Sequence, residues 1–340
     1  MGADRPAGAV FTVTTAEAGL RVDAFLVQRQ VVASAAAARR LLAETGARID
    51  GRRGRKGEHL QAGQMVELPA RPAATFPAAP LPELVVLYVD EALVALVKPA
   101  GVACHPLREG EGGTLAAALL SRFPECATAS ADSREAGLAH RLDVGTSGVI
   151  VAARRPDVYR ALRQTLGGAG EAGGSEKRYL AEVVGGLPRR PGDAPAGGHA
   201  AQAGPDAGLL VVDVPIGRQG RRGSRVILDG GRGALPARTE FKVLAQGEAT
   251  ALVEARLTAG RPHQVRAHLA HLGCPILGDR TYGGAASVAL ATARGVEGFH
   301  LHAWRLRLIH PVTGEELDFE APWPGWATAA AARHGSQDSR

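Results

Sequence analysis

Residues 137–153 constrain the fold more than any other stretch of the chain. Gly137-Leu138-Ala139-His140-Arg141-Leu142-Asp143-Val144-Gly145-Thr146-Ser147-Gly148 runs straight into Val149-Ile150-Val151-Ala152-Ala153. The second half is an apolar run of strand length and reads as a strand buried on both faces. The first half cannot continue that strand. It sets His140, Arg141 and Asp143 within four residues, then glycines around Thr146 and Ser147. A polar loop feeding a buried strand is well placed for chemistry, because the strand fixes the loop. An isolated Asp in such a place is usually a turn residue capping a backbone amide; the company of Asp143 points further.

The chain has 340 residues, a length that suits two domains. With 45% hydrophobic and 22% charged residues it can build a folded core. The net charge of +6 and an isoelectric point near 9.6 favour a polyanionic partner. Cys104, Cys126 and Cys274 form no Cys-x-x-Cys, which argues against a zinc ribbon or a disulfide framework and fits a reducing cytosol. Met1-Gly2-Ala3-Asp4-Arg5-Pro6 offers no apolar leader and no myristoylation site, and no apolar run reaches membrane-spanning length. The expectation is a soluble, cytoplasmic protein with no membrane partner.

Taken in order, residues 1–19 read as an N-terminal extension and residues 20–68 as a small domain. Val22, Phe25 and Leu26 fall at helical spacing, and Ser34 can cap a second helix carrying Arg39, Arg40, Leu41 and Leu42. Ala47-Arg48-Ile49 alternates as a strand, Asp50-Gly51 is a turn signal, and Arg52, Arg53, Arg55 and Lys56 form a basic run. Clustered arginines of this kind suit phosphates through charge and bidentate hydrogen bonds. Five prolines mark residues 69–83 as an extended linker. A second domain spans 84–326, and residues 327–340 read as a disordered tail.

The second domain opens with two strands, Leu84–Val89 and Leu93–Val97, followed by Lys98-Pro99-Ala100-Gly101, where Lys98 either supports the floor of a site, the favoured reading, or faces a polyanionic partner such as RNA. Cys104 and His105 lack a partner at ligand spacing. Pro156–Leu166 reads as a helix, 167–174 as a flexible glycine loop, Lys177–Gly185 as a strand and 186–207 as a surface insertion. Arg218, Arg221, Arg222 and Arg225 form a second basic patch, and two further strands, 237–244 and 251–257, suit a meander. Gly260-Arg261-Pro262-His263-Gln264-Val265-Arg266-Ala267-His268-Leu269 begins a helix. Pro262 suits its first turn, Val265, Leu269 and Leu272 make an apolar stripe, and Arg266 lies at the stripe's edge. His263, His268 and His271 lack His-x-x-x-His spacing, so no metal is expected.

His140-Arg141-Leu142-Asp143 with Thr146-Ser147-Gly148 resembles the signature of one RNA pseudouridine synthase family, the ribosomal large-subunit type, which also acts on transfer RNA and often carries an N-terminal S4-like domain. Lys98-Pro99-Ala100-Gly101, Lys177-Arg178-Tyr179, and Gly260–Leu269 with Gly278-Asp279 and Tyr282-Gly283 resemble further motifs of that family in its order. Residues 20–68 resemble the S4 RNA-binding domain. Val97, Val144, Gly145 and Ala259 depart from the residues common at those places: Asn, a basic residue, an acidic residue and Thr.

The resemblance implies an α+β fold: a catalytic domain with a large mixed, mainly antiparallel sheet, plus a small N-terminal S4-like α/β domain. It implies isomerisation of uridine to pseudouridine in structured RNA, large-subunit ribosomal RNA first and transfer RNA second. Asp143 would start the reaction, as a nucleophile toward sugar or base or as a base at the sugar 2′ carbon. Tyr179 would hold the target base and assist loss of its carbon-five proton, and Arg266 would pair with Asp143. RNA contacts would come from Arg141, beside the carboxylate, and from Arg39, Arg40, Arg52, Arg53, Arg55, Lys56, Arg221 and Arg222. The reaction has no redox change and no net hydrolysis, so neither cofactor nor metal is expected, and the protein is expected to be a monomer. Two other readings compete. A non-catalytic RNA-binding or ribosome-assembly factor on the same scaffold would not need Asp143, Tyr179 and Arg266 together. A glycoside hydrolase would need a second carboxylate where this motif supplies Arg.

Overall fold

The computed structural model describes residues 9–29, 31–32, 35–55, 57–68, 82–106, 111–130, 132–167, 175–188, 201–204, 209–219, 226–228 and 230–334. Ser34, Lys56, Arg221, Arg222, Arg225, most of the expected linker (69–81), the 168–174 loop and most of the expected insertion (189–200 and 205–207) lie outside them, as does the side chain of Arg40. The chain divides into two compact units, one of residues 1–81, 105–138 and 152–160, the other of 82–104, 139–151 and 161–340.

The first unit holds a four-stranded antiparallel sheet of β1 (Ala9–Thr12), β2 (Arg48–Ile49), β3 (Arg52–Arg53) and β4 (Met65–Leu68) in the order β1-β4-β2-β3. Helices α1 (Val22–Gln28) and α2 (Ala35–Thr45) belong with it, and Val22, Phe25, Leu26, Ala38, Leu41, Ile49 and Val66 form the core. Asp50 and Gly51 both have positive φ, 50° and 76°, the conformation of the tight turn that matches strand twist in a hairpin. The Asp50 carboxylate accepts the Met65 N–H at 2.8 Å and so ties the turn to β4. Residues 9–12, expected to be extension, are instead the first strand of this sheet; Phe11 meets Phe25 edge to face at 6.2 Å, which gives the strand a reason to dock.

A ten-stranded mixed sheet is built from β5 (Val85–Val89), β6 (Leu93–Lys98), β7 (Ser147–Ala153), β8 (Ser175–Val184), β9 (Ala201–Ala203), β10 (Leu209–Asp213), β14 (Arg238–Gln246), β15 (Thr250–Leu257), β16 (Leu301–Ile309) and β17 (Glu316–Glu320). The strands β11 (Ile216–Arg218), β12 (Val226–Leu228) and β13 (Arg232–Leu235) make a separate small sheet. Helices α3 (Leu115–Arg122) and α4 (Pro156–Gly167) precede β8, and α5 (Gln264–His271), α6 (Gly284–Ala293) and α7 (Gly325–His334) complete the chain. The sheet runs β5-β6-β7-β16-β8-β15-β14-β10-β9, with β17 on β16. β7 and β16 pair in parallel and the pairs from β16 through β8, β15 and β14 to β10 and β9 are antiparallel, so the fold is α+β, as the resemblance implies.

β7 lies inside the sheet between β6 and β16, and Gly148 through Ala153 are all buried. Its start is pressed against β16: a Cβ on Gly148, whose φ is +114°, would lie 2.1 Å from the Ala303 carbonyl oxygen. The expected disordered tail is also corrected over residues 327–334; residues 335–340 lie outside the described residues. Residues 325–334 form α7, where alanines favour helix and Ala327 and Ala330 bury against Leu180 and Leu252 of the sheet.

Gly148→Ala should therefore cost about 3 kcal/mol or more, from a backbone clash on top of an unfavourable φ. Urea unfolding checks this; a midpoint close to wild type would show that the β7–β16 contact can open without penalty.

Candidate active site

The Asp143 loop is tied down on every side by backbone contacts within the second unit. The Asp143 carbonyl accepts the Thr146 N–H at 3.0 Å, closing a turn. The Val144 carbonyl accepts Gly101 N–H at 2.9 Å and Lys98 Nζ at 3.0 Å. Lys98 is fully buried, and its other hydrogens go to the Pro99 and Val102 carbonyls. Burial lowers its pKa to about 8, so at neutral pH it remains a cation whose donors are spent on carbonyls. Cys104 Sγ lies 3.4 Å from both the nitrogen and the oxygen of Leu142.

His140 takes part as an acceptor. Its Nε2 receives the Val151 N–H at 3.1 Å, which only a neutral imidazole can do. Burial, with Lys177 and Arg163 nearby, lowers its pKa to about 3. The motif His is thus a joint between loop and strand.

Arg266 enters from α5. His263, in the left-handed region at φ 56°, turns the chain into that helix. Arg266 is buried and lies between two carboxylates. Its Nη1 donates to Asp143 Oδ2 at 2.7 Å; its Nε and Nη2 donate to Asp279 Oδ2 and Oδ1 at 2.7 and 2.9 Å. Phe299 and Tyr282 cover the guanidinium, with ring centroids 4.5 and 5.2 Å from Cζ. Burial opposes the Arg266 charge, but the two carboxylates outweigh it and raise its pKa. Asp279 is fully buried, which pushes its carboxyl up; Arg266 and the N–H groups of Thr281 and Tyr282 overcome this and hold it below the ordinary value.

His263 faces the other oxygen: its Nε2 lies 3.7 Å from Asp143 Oδ1. Its Nδ1 is 2.9 Å from the Tyr282 hydroxyl, which accepts the Val226 N–H at 3.0 Å. The Tyr282 hydroxyl thus links His263 to the backbone of Val226, and the direction of its hydrogen bond with Nδ1 follows the imidazole tautomer. Burial lowers the His263 pKa, which favours the neutral form.

Tyr179 lies in β8 between Ala255 of β15 and Ala303 of β16, so small neighbours flank the ring on both sides. Burial, and then the charge of Asp143, raise its phenol well above the ordinary value. It is a hydrogen-bond donor at neutral pH, and this argues against the expectation that it removes a proton as a base.

Asp143, Arg266 and Tyr179 are thus assembled within one unit. Arg141 is exposed in the same loop. Arg39, Arg52, Arg53 and Arg55 are exposed in the first unit, where Arg52 pairs with Glu58 and Arg39 Nε donates to the Ala35 carbonyl at 3.1 Å. Sequence reasoning gave no role to Asp279, His263 or Tyr282. A buried Asp just after a glycine, close in sequence to a helix with one Arg at its apolar edge, is the signal that was there to use. Among the described residues, no three His, Cys, Asp or Glu side chains group as metal ligands, and no helix is long and apolar enough to cross a membrane.

Residues 92–271 match the RNA pseudouridylate synthase family. The ribosomal large subunit pseudouridine synthase D of Xanthomonas campestris pv. campestris is 35% identical over 322 residues, covering 92% of this chain and 88% of that protein. The Pseudomonas aeruginosa protein of the same name is 32% identical over 250 residues, 71% of this chain and 69% of its own. The solved structure of human RNA pseudouridylate synthase domain containing 4 shares 26% identity with a TM-score of 0.51, covering 73% of this chain and 92% of that one. Human RNA pseudouridylate synthase domain containing 1 has the same fold, at a TM-score of 0.53 and 23% identity over 75% of this chain and 89% of its own. The chain belongs to the RNA pseudouridylate synthase family. It is an isomerase that acts on RNA.

Asp279→Asn keeps the shape of the carboxylate but removes its charge from Arg266. It should lower kcat at saturating RNA about 10- to 100-fold through misplacement of Asp143; single-turnover kinetics with unchanged rate would show that Asp279 only fills space. A second expectation concerns acid. The His140 pKa is depressed from 6.5 to about 3 on folding, so the stability it contributes is present above pH 6.5 and is lost as pH falls toward 3. His140→Gln can still accept the Val151 N–H. It should flatten the loss of unfolding free energy between about pH 6.5 and 4 by up to about 1.4 kcal/mol per pH unit, read from urea unfolding across that range. An unaltered slope would mean that His140 is charged in the folded protein.

Proposed function

We propose that this enzyme isomerises uridines of large-subunit ribosomal RNA, in the cytoplasm and as a monomer, with Asp143 as the residue that starts the reaction. The observation that carries the reading is the Asp143 carboxylate itself. One oxygen is held by Arg266 at 2.7 Å while the side chain stays 22% exposed, so the other oxygen can meet a substrate. A bound uridine that has left the stack would bring its glycosidic carbon to that oxygen. The bond from the sugar to N1 of the uracil breaks, the base turns, and a bond from the sugar to carbon five forms. The carbon-five hydrogen leaves as a proton and N1 gains one, so atoms and electrons balance without a cofactor.

Arg266 orients the carboxylate and supplies a counter-charge throughout. Tyr179, as a neutral phenol between two alanines, supports the turning base by contact and can donate a hydrogen bond. Arg141 is suited to fill the space that the target leaves in the RNA. The module of residues 9–68, with Arg39, Arg52, Arg53 and Arg55 exposed, is read as an S4-like RNA-binding domain whose cations meet phosphates. The names of the relatives support ribosomal RNA over transfer RNA as substrate.

Asp143→Asn should abolish pseudouridine formation while RNA affinity changes by no more than a few fold; turnover by the purified variant would remove Asp143 from this role. Arg266→Ala should cut the rate at saturating RNA sharply, and Arg266→Lys should recover only part of it, since an ammonium cannot bridge two carboxylates in one plane. Pseudouridine mapping in a deletion strain tests the substrate: signals should disappear from large-subunit ribosomal RNA, and a loss confined to transfer RNA would overturn that choice.

A further inference from the structure

We propose that a cavity of about 440 Å³ next to Arg266, lined by Gly278, Arg280, Thr281, Gly298 and Phe299, is a subsite for the nucleotide adjoining the target uridine. The inference rests on the reading of Asp143 as the residue that meets the target. Arg266 lines the cavity and also donates to Asp143, so the cavity lies one guanidinium away from the reacting carboxylate. Its volume is in the range of a small-ligand site and suits a single nucleotide.

Its walls have the chemistry that a nucleotide needs. Phe299 supplies an apolar ring, partly exposed. That ring is where it is because position 145 carries no side chain: a Cβ on Gly145 would lie 2.6 Å from Phe299 Cε1. The catalytic loop itself thus makes room for the wall. Gly278 and Gly298 line it without side chains, and their backbones touch: a Cβ on Gly278 would sit 2.1 Å from the Gly298 carbonyl oxygen, whereas one on Gly298 would meet nothing within 4 Å. At the rim, Arg280 and Thr281 are exposed. Arg266 cannot serve a phosphate, because Asp143 and Asp279 both engage it. Arg280 differs: it makes no hydrogen bond or ion pair among the described residues, so its guanidinium is available. When the target uridine leaves the stack, its neighbour loses a stacking partner. The cavity replaces that partner with Phe299 and meets the connecting phosphate with Arg280.

The two contacts differ in their response to salt, and this allows the test. Binding is measured in the Asp143→Asn background, with a hairpin transcript from large-subunit ribosomal RNA that the wild-type enzyme converts. Arg280→Ala should weaken binding and lower the slope of log affinity against log salt by about one, the loss of one phosphate contact. Phe299→Leu should weaken binding roughly five-fold or more with the slope unchanged, the loss of one stacked base. An abasic substitution at the nucleotide adjoining the target should erase the Phe299→Leu effect while leaving that of Arg280→Ala, because the phosphate remains. Additive losses from Phe299→Leu and the abasic site would overturn the proposal, as would an unchanged salt slope in Arg280→Ala. Both outcomes are read in an RNA that wild type converts. A wild-type enzyme that converts no ribosomal hairpin would instead bring down the ribosomal reading, so the two failures are distinct.

Discussion

The buried guanidinium of Arg266 is the interaction on which the site depends. A cation taken out of water needs carboxylates in good geometry, and breaking such a group leaves a charge with nothing to balance it. Asp279 supplies two parallel hydrogen bonds and fixes the plane of the fork. The remaining donor then has one direction, and Asp143 lies in it. Asp279 is itself held by the amides of Thr281 and Tyr282, so the chain of restraint runs from a backbone turn, through a buried acid and Arg266, to the Asp143 carboxylate. Tyr282 and Phe299 place their rings against the guanidinium.

The loop that carries Asp143 is restrained just as closely, by groups whose charges have been arranged around it. His140 and His263 are pushed toward their neutral forms, Tyr179 keeps its proton, and Lys98 spends its donors on carbonyls. The Asp143 oxygen that Arg266 leaves free is faced by the His263 imidazole at 3.7 Å, in a form that burial keeps toward neutral. Such an arrangement suits a reaction in which a base must detach, turn and rejoin within one pocket. The loop must stay still, and the space beside it must stay open. Alanines at 255 and 303 flank Tyr179 and meet the second requirement.

Much of this was legible in the chain. The apolar run after Gly148 marked a strand buried on both faces, the Asp50-Gly51 pair marked a hairpin turn, and the edge of the 264–271 stripe marked Arg266 as a side chain able to enter a cleft. These are local signals with a fixed spacing, and spacing survives folding. Strand β1 and helix α7 were not legible. Their short, alanine-rich or extended sequences carry weak patterns, and what orders them is a partner elsewhere: Phe25 for Phe11, the Leu180 and Leu252 surface for Ala327 and Ala330.

The sequence by itself determined which residue types were present and on which element each would ride: an acid on a loop before a buried strand, a Tyr within a strand, an Arg on a helix. Only the tertiary structure decided how they meet. Asp143 and Arg266 are 123 positions apart, and no spacing rule reaches that far. Which acid would clamp the Arg, which imidazole nitrogen would face Asp143, and which glycine would make room for Phe299 all depend on how strands and helices pack. Hydrogen bonds and close contacts act over a few ångströms in space, and a chain fixes those distances only once it has folded.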